Sequence, residues 1–95
     1  ELLRFVYDRA RQPEVACRVF PVAAATKGRR GDELAEIALM ARALGPLALD
    51  GATGGAVAFS DDGDCIPTAG VMARVLQVVK DTGLTFMQHC QEPTL

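Results

Sequence analysis

The sequence predicts an α/β fold built around a parallel sheet. Three apolar, partly β-branched segments alternate with three segments of helical periodicity, in the order α-β-α-β-α-β. Such alternation is typical of parallel strands joined by helical crossovers. The composition agrees with this class, because 49% of the residues are hydrophobic and 23% are charged.

The first helix is predicted over residues 1–11, where apolar side chains share one helical face and charged side chains occupy the other. Pro13 ends this segment. Residues 16–25 are apolar and partly β-branched, which favours a strand buried on both faces. Pro21 argues against part of that strand, since proline withholds a ladder donor. Thr26-Lys27-Gly28 then ends the strand in a loop.

The second helix is predicted to begin at Asp32 as its N-cap and to keep apolar residues at helical spacing up to Leu44. Gly45-Pro46 is a conventional helix stop. Residues 46–55 are rich in glycine and small residues, which predicts a loop. Ala56 to Phe59 is the next predicted strand.

Thr68 is predicted to cap a third helix that ends at Gly83. One face of this helix carries four valines: Val71, Val75, Val78 and Val79. Leu84 to Met87 is the last predicted strand. A sheet of three strands leaves its edge strands with unpaired backbone groups. We therefore expect residues 1–95 to be part of a larger barrel domain rather than a complete domain. A start at Glu1 without Met, inside a helical pattern, also suggests a longer chain.

Composition also argues against several classes of protein. The net charge of −2, with no basic run beyond Arg29-Arg30, gives no electrostatic footprint for nucleic-acid binding. No apolar stretch reaches the roughly 20 residues that cross a bilayer, and charges within residues 1–20 exclude a signal peptide. The cysteines, which lack any C-x-x-C spacing, predict neither a disulfide framework nor a zinc ribbon. A reducing, cytoplasmic setting is therefore expected.

Candidate functional residues follow two of the predicted strands. Asp61-Asp62-Gly63 follows the second strand and His89 ends the third. If these strands are parallel neighbours, Asp62 and His89 meet at one mouth and form a metal or acid–base constellation. Neighbouring residues at a strand end point in opposite directions, so one carboxylate can face the mouth while the other caps backbone amides. The alternatives are a simple turn at Asp61-Asp62-Gly63 and a structural role for the lone histidine.

Four other residues near strand ends have less specific interpretations. Cys90 is expected to pack away from the mouth. Glu92 either caps a following helix or orients a ligand, and capping is the simpler interpretation. Lys27 is expected to be a solvated loop residue, although a lysine at a strand end can be carbamylated and bridge metals in some hydrolases. Thr26 and Lys27 are expected to border the mouth.

Five strings along the chain carry a family resemblance: Phe20-Pro21-Val22, Ala25-Thr26-Lys27-Gly28, Asp32-Glu33-Leu34-Ala35-Glu36, Gly55 to Gly63, and His89-Cys90. In this order they resemble the middle of the dihydroorotase family of the amidohydrolase superfamily. The likeness extends over essentially the whole chain, and Ala-Val-Ala-Phe-Ser-Asp-Asp-Gly is its most specific part.

The resemblance implies a TIM-type (β/α)8 barrel with a zinc centre at its C-terminal mouth, to which this chain contributes roughly the third to fifth strands. It assigns Asp62 and His89 as zinc ligands in a complete site of about two ions. The implied substrate is a small molecule, N-carbamoyl-L-aspartate, which cyclises reversibly to dihydroorotate in pyrimidine biosynthesis. Implied partners are a second copy of the chain or aspartate transcarbamoylase. The remaining ligands and the catalytic aspartate fall outside this chain, so the isolated segment is expected to be inactive.

Two features depart from the family pattern. The connection from Ala38 to Gly54 is about ten residues longer than usual, which predicts an elaborated loop at residues 46–54. Cys90-Gln91-Glu92 stands where the family commonly has Cys-Glu-Asp.

Three alternatives remain open. Allantoinases and hydantoinases are relatives that usually bridge their metals with a carbamylated lysine, and Asp62 in that place favours dihydroorotase. A catalytically silent scaffold is a second alternative, although such homologues lose metal ligands and both candidates are intact here. The third is an independent α/β binding module.

Overall fold

Three short parallel strands form the centre of the structure, a computed structural model that describes residues 1–42 and 55–94. The strands are β1 (Val22–Ala23), β2 (Ala58–Ser60) and β3 (Thr85–Met87), and they lie side by side in that order. Both neighbouring pairs are parallel. The predicted α/β arrangement with a parallel sheet is therefore confirmed.

One α-helix precedes each strand: α1 (Leu2–Ala10), α2 (Ile37–Arg42) and α3 (Ala69–Thr82). A short 3-10 helix (Lys27–Arg29) also lies between β1 and α2. The bounds of α3 agree with the prediction. The Thr68 hydroxyl accepts a hydrogen bond from the amide of Val71 at 3.4 Å, and Gly83 ends the helix in the left-handed conformation with φ 73°. None of the helices in the described ranges is long and apolar enough to cross a membrane.

The first strand is much shorter than the predicted range of residues 16–25. Only Val22 and Ala23 belong to the ladder. Pro21 has no amide hydrogen to donate, and it contributes only its carbonyl, which accepts from the amide of Val57 at 3.0 Å. The prediction of a strand before Pro21 is therefore wrong, because residues 16–20 lie outside the sheet and are mostly exposed.

The second helix begins later than predicted, and Asp32 is not its N-cap. Backbone hydrogen bonds of 2.8 and 2.9 Å hold residues 33–35 in antiparallel pairing beside residues 25–27. This pairing uses the backbone groups that a helix from Asp32 would need, so α2 begins at Ile37. The predicted helix stop at Gly45-Pro46 and the loop at residues 46–54 lie outside the described residues.

The core lies on one face of the sheet, where α2 and α3 pack together and α3 contacts β3. Ile37 is 1% exposed, whereas Phe59 and Val75 are fully buried. Burial of each such side chain stabilises the fold by about 1.5–3 kcal/mol relative to exposure. The opposite face of the sheet is open, since Val22 and Met87 are 47% and 45% exposed.

The first helix is joined to the sheet region by Tyr7. Its hydroxyl donates a hydrogen bond to the carbonyl of Gly55 at 2.9 Å. Burial raises the pKa of the Tyr7 hydroxyl, because the phenolate would be poorly solvated there. The outer face of α1 carries Leu2 and Phe5, which are 81% and 63% exposed.

Candidate metal centre at the carboxyl end of the sheet

Parallel pairing of β2 with β3 brings Asp62 and His89 together. Ser60 is aligned with Met87, so the residues two positions further along each chain lie on the same side of the sheet. Oδ1 of Asp62 is 2.8 Å from Nδ1 of His89. The two side chains thus meet at one mouth, as the sequence predicts.

Both ring nitrogens of His89 face oxygen acceptors. Nδ1 faces the Asp62 carboxylate, and Nε2 is 3.1 Å from Oε1 of Gln91. An imidazolium donates from both nitrogens, so these contacts favour the protonated ring. The hydrogen bond to Asp62, followed by that to Gln91, raises the pKa of His89 above its ordinary value. Solvent screens this pair, because the Asp62 side chain is 80% exposed.

Asp61 turns to the opposite side of β2 and is fully buried. Its Oδ1 accepts hydrogen bonds from the backbone amides of Ala25 and Thr26 at 2.8 and 3.1 Å. Its Oδ2 accepts from the hydroxyl of Thr26. These three bonds compensate for the loss of water around the buried carboxyl group. One aspartate therefore caps backbone amides while Asp62 faces the mouth, which is the division that strand alternation predicts.

The backbone of Asp62 is held on both sides of its Cα atom. Its amide donates to Oγ of Ser60 at 3.0 Å, and its carbonyl accepts from Nη1 of Arg29 at 2.7 Å. The same guanidinium lies 3.3 Å from the carboxylate of Asp64. Arg29 has φ 57°, a left-handed conformation that is uncommon for a residue other than glycine.

Sequence reasoning missed Arg29 and Gln91 as members of this site. Arg29 precedes Asp62 by 33 residues, and no motif or spacing connects a loop arginine with the carbonyl of a distant residue. Gln91 lies two positions after His89, but β3 ends at Met87, so strand alternation gave no signal for its contact with the ring.

The other predicted candidates have separate positions. Lys27 pairs with Glu33 at 2.6 Å and is exposed, in agreement with a solvated loop lysine. The hydrogen bond to Glu33 raises the pKa of Lys27. Thr26 is fully buried beneath the mouth rather than on its border. Cys90 lies beyond the end of β3 and is exposed among the described residues, so its packing role stays a prediction.

Glu92 forms a local turn. Its Oε1 accepts from the amide and the hydroxyl of Thr94 at 3.0 and 2.7 Å, which fits the capping interpretation. The bond from the Thr94 hydroxyl, followed by the bond from the Thr94 amide, lowers the pKa of the Glu92 carboxyl group.

A concavity of about 410 Å³ opens beside the Asp62 carboxylate. Residues from all three strands and from the loop after β1 line it: Val22, Ala24, Arg29, Ser60, Asp62 and Met87. This volume lies within the range of roughly 300–1,000 Å³ typical of small-molecule sites.

The donor atoms of Asp62 and His89 fit a zinc ion. Zinc in proteins binds carboxylate oxygen and imidazole nitrogen, and both side chains are accessible from the mouth. Zinc usually takes about three or four protein ligands. No group of three or more His, Cys, Asp or Glu side chains that could hold a metal ion occurs within residues 1–42 and 55–94. Within the described ranges, Asp62 and His89 are therefore candidate donors that by themselves number fewer than a zinc site uses.

Comparisons with known proteins point to one enzyme family. The chain is 40% identical over 80 residues to a dihydroorotase of Pelotomaculum thermopropionicum, a match that covers 84% of this chain. It is 37% identical over 91 residues to a dihydroorotase of Solibacter usitatus, covering 96% of this chain. A dihydroorotase of Caldicellulosiruptor saccharolyticus is 37% identical over 90 residues, or 94% of this chain.

The matches cover 16% to 18% of the length of these three relatives. No family model matches the chain. The similarity nevertheless extends over most of the 95 residues and includes the segments that carry Asp62 and His89 in the match that covers 96% of the chain. Over the segment that it shares with these relatives, the chain belongs to the dihydroorotase family.

Proposed function

We propose that the full-length protein is a zinc-dependent dihydroorotase that interconverts N-carbamoyl-L-aspartate and dihydroorotate. The observation that carries this proposal is the contact of 2.8 Å between Asp62 and His89 at the carboxyl ends of neighbouring parallel strands. Active sites of parallel barrels lie at this end of the sheet. The relatives named dihydroorotase support the choice of reaction.

The three strands correspond, in this proposal, to about the third to fifth strands of a (β/α)8 barrel. Residues 1–95 are then part of one barrel domain. Exposed apolar side chains support this placement, because Val22 and Met87 on the open face of the sheet would be covered inside a closed barrel. Leu2 and Phe5 on α1 would be covered in the same way by neighbouring helices.

In the complete site, Asp62 and His89 would hold zinc together with ligands from other parts of the protein. When bound, zinc polarises carbonyl groups and lowers the pKa of a bound water to about 7. His89 would ligate only as the neutral imidazole, with the metal on whichever ring nitrogen carries no proton. Only the part of the concavity beside Asp62 and Arg29 lies at the mouth, where a small substrate would approach.

The metal content and activity of the full-length protein test the proposal. We expect about two zinc ions per chain in the wild type, and loss of metal and of activity on N-carbamoyl-L-aspartate in Asp62→Asn. Asp81→Asn is the matched control, since this exposed carboxylate on α3 contacts Gln77 and lies outside the site. It should keep both metal and activity.

Three results would contradict the proposal. A folded wild-type protein with metal but without activity on N-carbamoyl-L-aspartate, and with turnover of allantoin or hydantoin, would indicate a different cyclic amidohydrolase. A folded wild-type protein with neither metal nor activity would indicate a silent scaffold. A cooperative melt of isolated residues 1–95 would contradict their placement within one barrel domain.

A further inference from the structure

We propose that the loop following β1 is a positioning device for Asp62, in which Thr26 and Arg29 fix the backbone of Asp62 so that its carboxylate lies where a metal ligand is needed. Neither residue is proposed to contact metal or substrate. The inference rests on the proposed metal centre for its functional meaning, but the interlock itself is a property of the described residues.

The first part of the device is a buried interlock between Thr26 and Asp61. Both side chains are fully buried. The Thr26 hydroxyl donates to Oδ2 of Asp61 and accepts from the amide of Gly31 at 2.9 Å. Removal of the hydroxyl would leave a buried acceptor and a buried donor without this partner, which is costly in a dry environment.

The interlock also ties the end of β1 directly to the end of β2. Two amides, those of Ala25 and Thr26, converge on Oδ1 of Asp61. Since Asp61 and Asp62 share a peptide bond, any displacement of Asp61 moves the backbone of Asp62 with it.

The second part of the device is a hydrogen bond on the C-terminal side of the Cα atom of Asp62. The guanidinium of Arg29 donates to the carbonyl of Asp62 at 2.7 Å. The same loop therefore anchors Asp62 through the preceding residue and through its own carbonyl. Ligand constellations need side chains held within about 0.5 Å, and a fixed backbone at Asp62 narrows the positions that its carboxylate can take.

Substitution of Thr26 tests the interlock. Thr26→Val keeps the shape of the side chain and removes the hydroxyl, whereas Thr26→Ser keeps the hydroxyl. In the full-length protein we expect Thr26→Val to weaken Co²⁺ affinity by about 10- to 100-fold, as loss of supporting contacts does at other metal sites. Thr26→Ser should stay within a few-fold of the wild type. Equal Co²⁺ affinity in folded Thr26→Val and Thr26→Ser would overturn the role of Thr26.

Substitution of Arg29 tests its role, because positioning and simple electrostatics predict opposite changes in Co²⁺ affinity. Removal of a cation near a metal site should tighten cation binding if charge alone matters. Loss of the hydrogen bond from Arg29 to the carbonyl of Asp62 should instead weaken cation binding if positioning matters. We expect Arg29→Met to weaken Co²⁺ binding by several-fold, whereas Arg30→Met, the matched control, should not, because Arg30 is exposed and pairs with Asp32 at 3.7 Å. Tighter or unchanged binding in Arg29→Met would overturn its role.

Crystal structures of the metal-free variants separate this inference from the metal centre itself. The quantity to compare is the distance between Oδ1 of Asp62 and Nδ1 of His89, which is 2.8 Å here. Loss of this contact in Thr26→Val or Arg29→Met, with Thr26→Ser and Arg30→Met unchanged, supports positioning even if the wild type binds no metal. Retention of the contact in both test variants overturns it. If Thr26→Val does not fold, Arg29→Met decides, because the Arg29 side chain is 49% exposed.

Discussion

Asp61 and Asp62 are consecutive residues with opposite environments. Asp61 is fully buried and accepts three hydrogen bonds from Ala25 and Thr26, whereas 80% of the Asp62 side chain is exposed at the mouth. The pleat of β2 produces this division, since neighbouring side chains leave a strand on opposite faces. The buried aspartate joins two strand ends, and the exposed one is available to a ligand. Rigid support and chemical access are thus divided between two adjacent carboxyl groups.

The pair formed by Asp62 and His89 predicts a specific pH dependence. In the metal-free full-length protein, Asp62→Asn should lower the pKa of His89 towards its ordinary value of 6.5, because the charged hydrogen-bond acceptor is lost. Gln91→Ala should lower it less, since Gln91 makes the smaller contribution. The assigned C2 proton of His89, followed by NMR from pH 5 to 9, measures both changes.

The raised pKa of His89 determines whether the stability of the folded protein rises or falls with pH. The pair stabilises the folded metal-free protein below the ordinary pKa of histidine, and this stabilisation is lost as pH rises through the folded value. If His89 ligates metal as proposed, metal loading should show the opposite trend, because only the neutral imidazole binds a metal ion. An unchanged His89 titration in Asp62→Asn would show that the contact does not control the protonation of the ring.

Substitution of Lys27 distinguishes a metal site with Asp62 in the bridging place from one with a carbamylated lysine there. Lys27 is engaged by Glu33 at 2.6 Å, so Lys27→Met should leave both the metal content and the activity of the full-length protein near those of the wild type. Glu33→Gln changes the other partner of this ion pair and should likewise keep the metal content and the activity near those of the wild type. Metal analysis that showed loss of zinc in Lys27→Met alone would instead favour a carbamylated, bridging lysine.

Two glycines should respond oppositely to alanine. Gly31 has φ 73°, and a Cβ atom there would lie 2.6 Å from Cδ of Pro67 and 2.9 Å from the carbonyl oxygen of Cys65. Gly31→Ala should therefore lower the free energy of unfolding by about 1–3 kcal/mol. Gly70 lies within α3, where a Cβ atom would meet nothing within 4 Å.

We expect Gly70→Ala to raise the free energy of unfolding by about 0.5–1 kcal/mol, because alanine loses less backbone entropy in a helix. Urea unfolding of the full-length protein measures both changes. Similar stability of the two variants would contradict the close packing of Gly31 against residues 65–67.

Local signals predicted the elements that depend on neighbouring residues. The helix α3 is the clearest case, because Thr68, Gly83 and the valine stripe between them act within a few residues. The second and third strands were likewise found from short apolar runs. The errors at residues 16–20 and at Asp32 arose where long-range pairing or its absence decided the backbone.

The sequence by itself determined the alternation of helices and parallel strands, and with it the end of the sheet at which Asp62 and His89 lie. The family resemblance selected Asp62 over Asp61 as the carboxylate that faces the mouth. Periodicity and strand pleat are local properties, so they can be read along the chain. Only the tertiary structure decided that Thr26 locks Asp61, that Arg29 holds the carbonyl of Asp62 and that Gln91 faces His89. The contacts of Thr26 and Arg29 join atoms more than 30 residues apart, and no local pattern encodes such a distance. The contact of Gln91 depends on how the chain turns after β3.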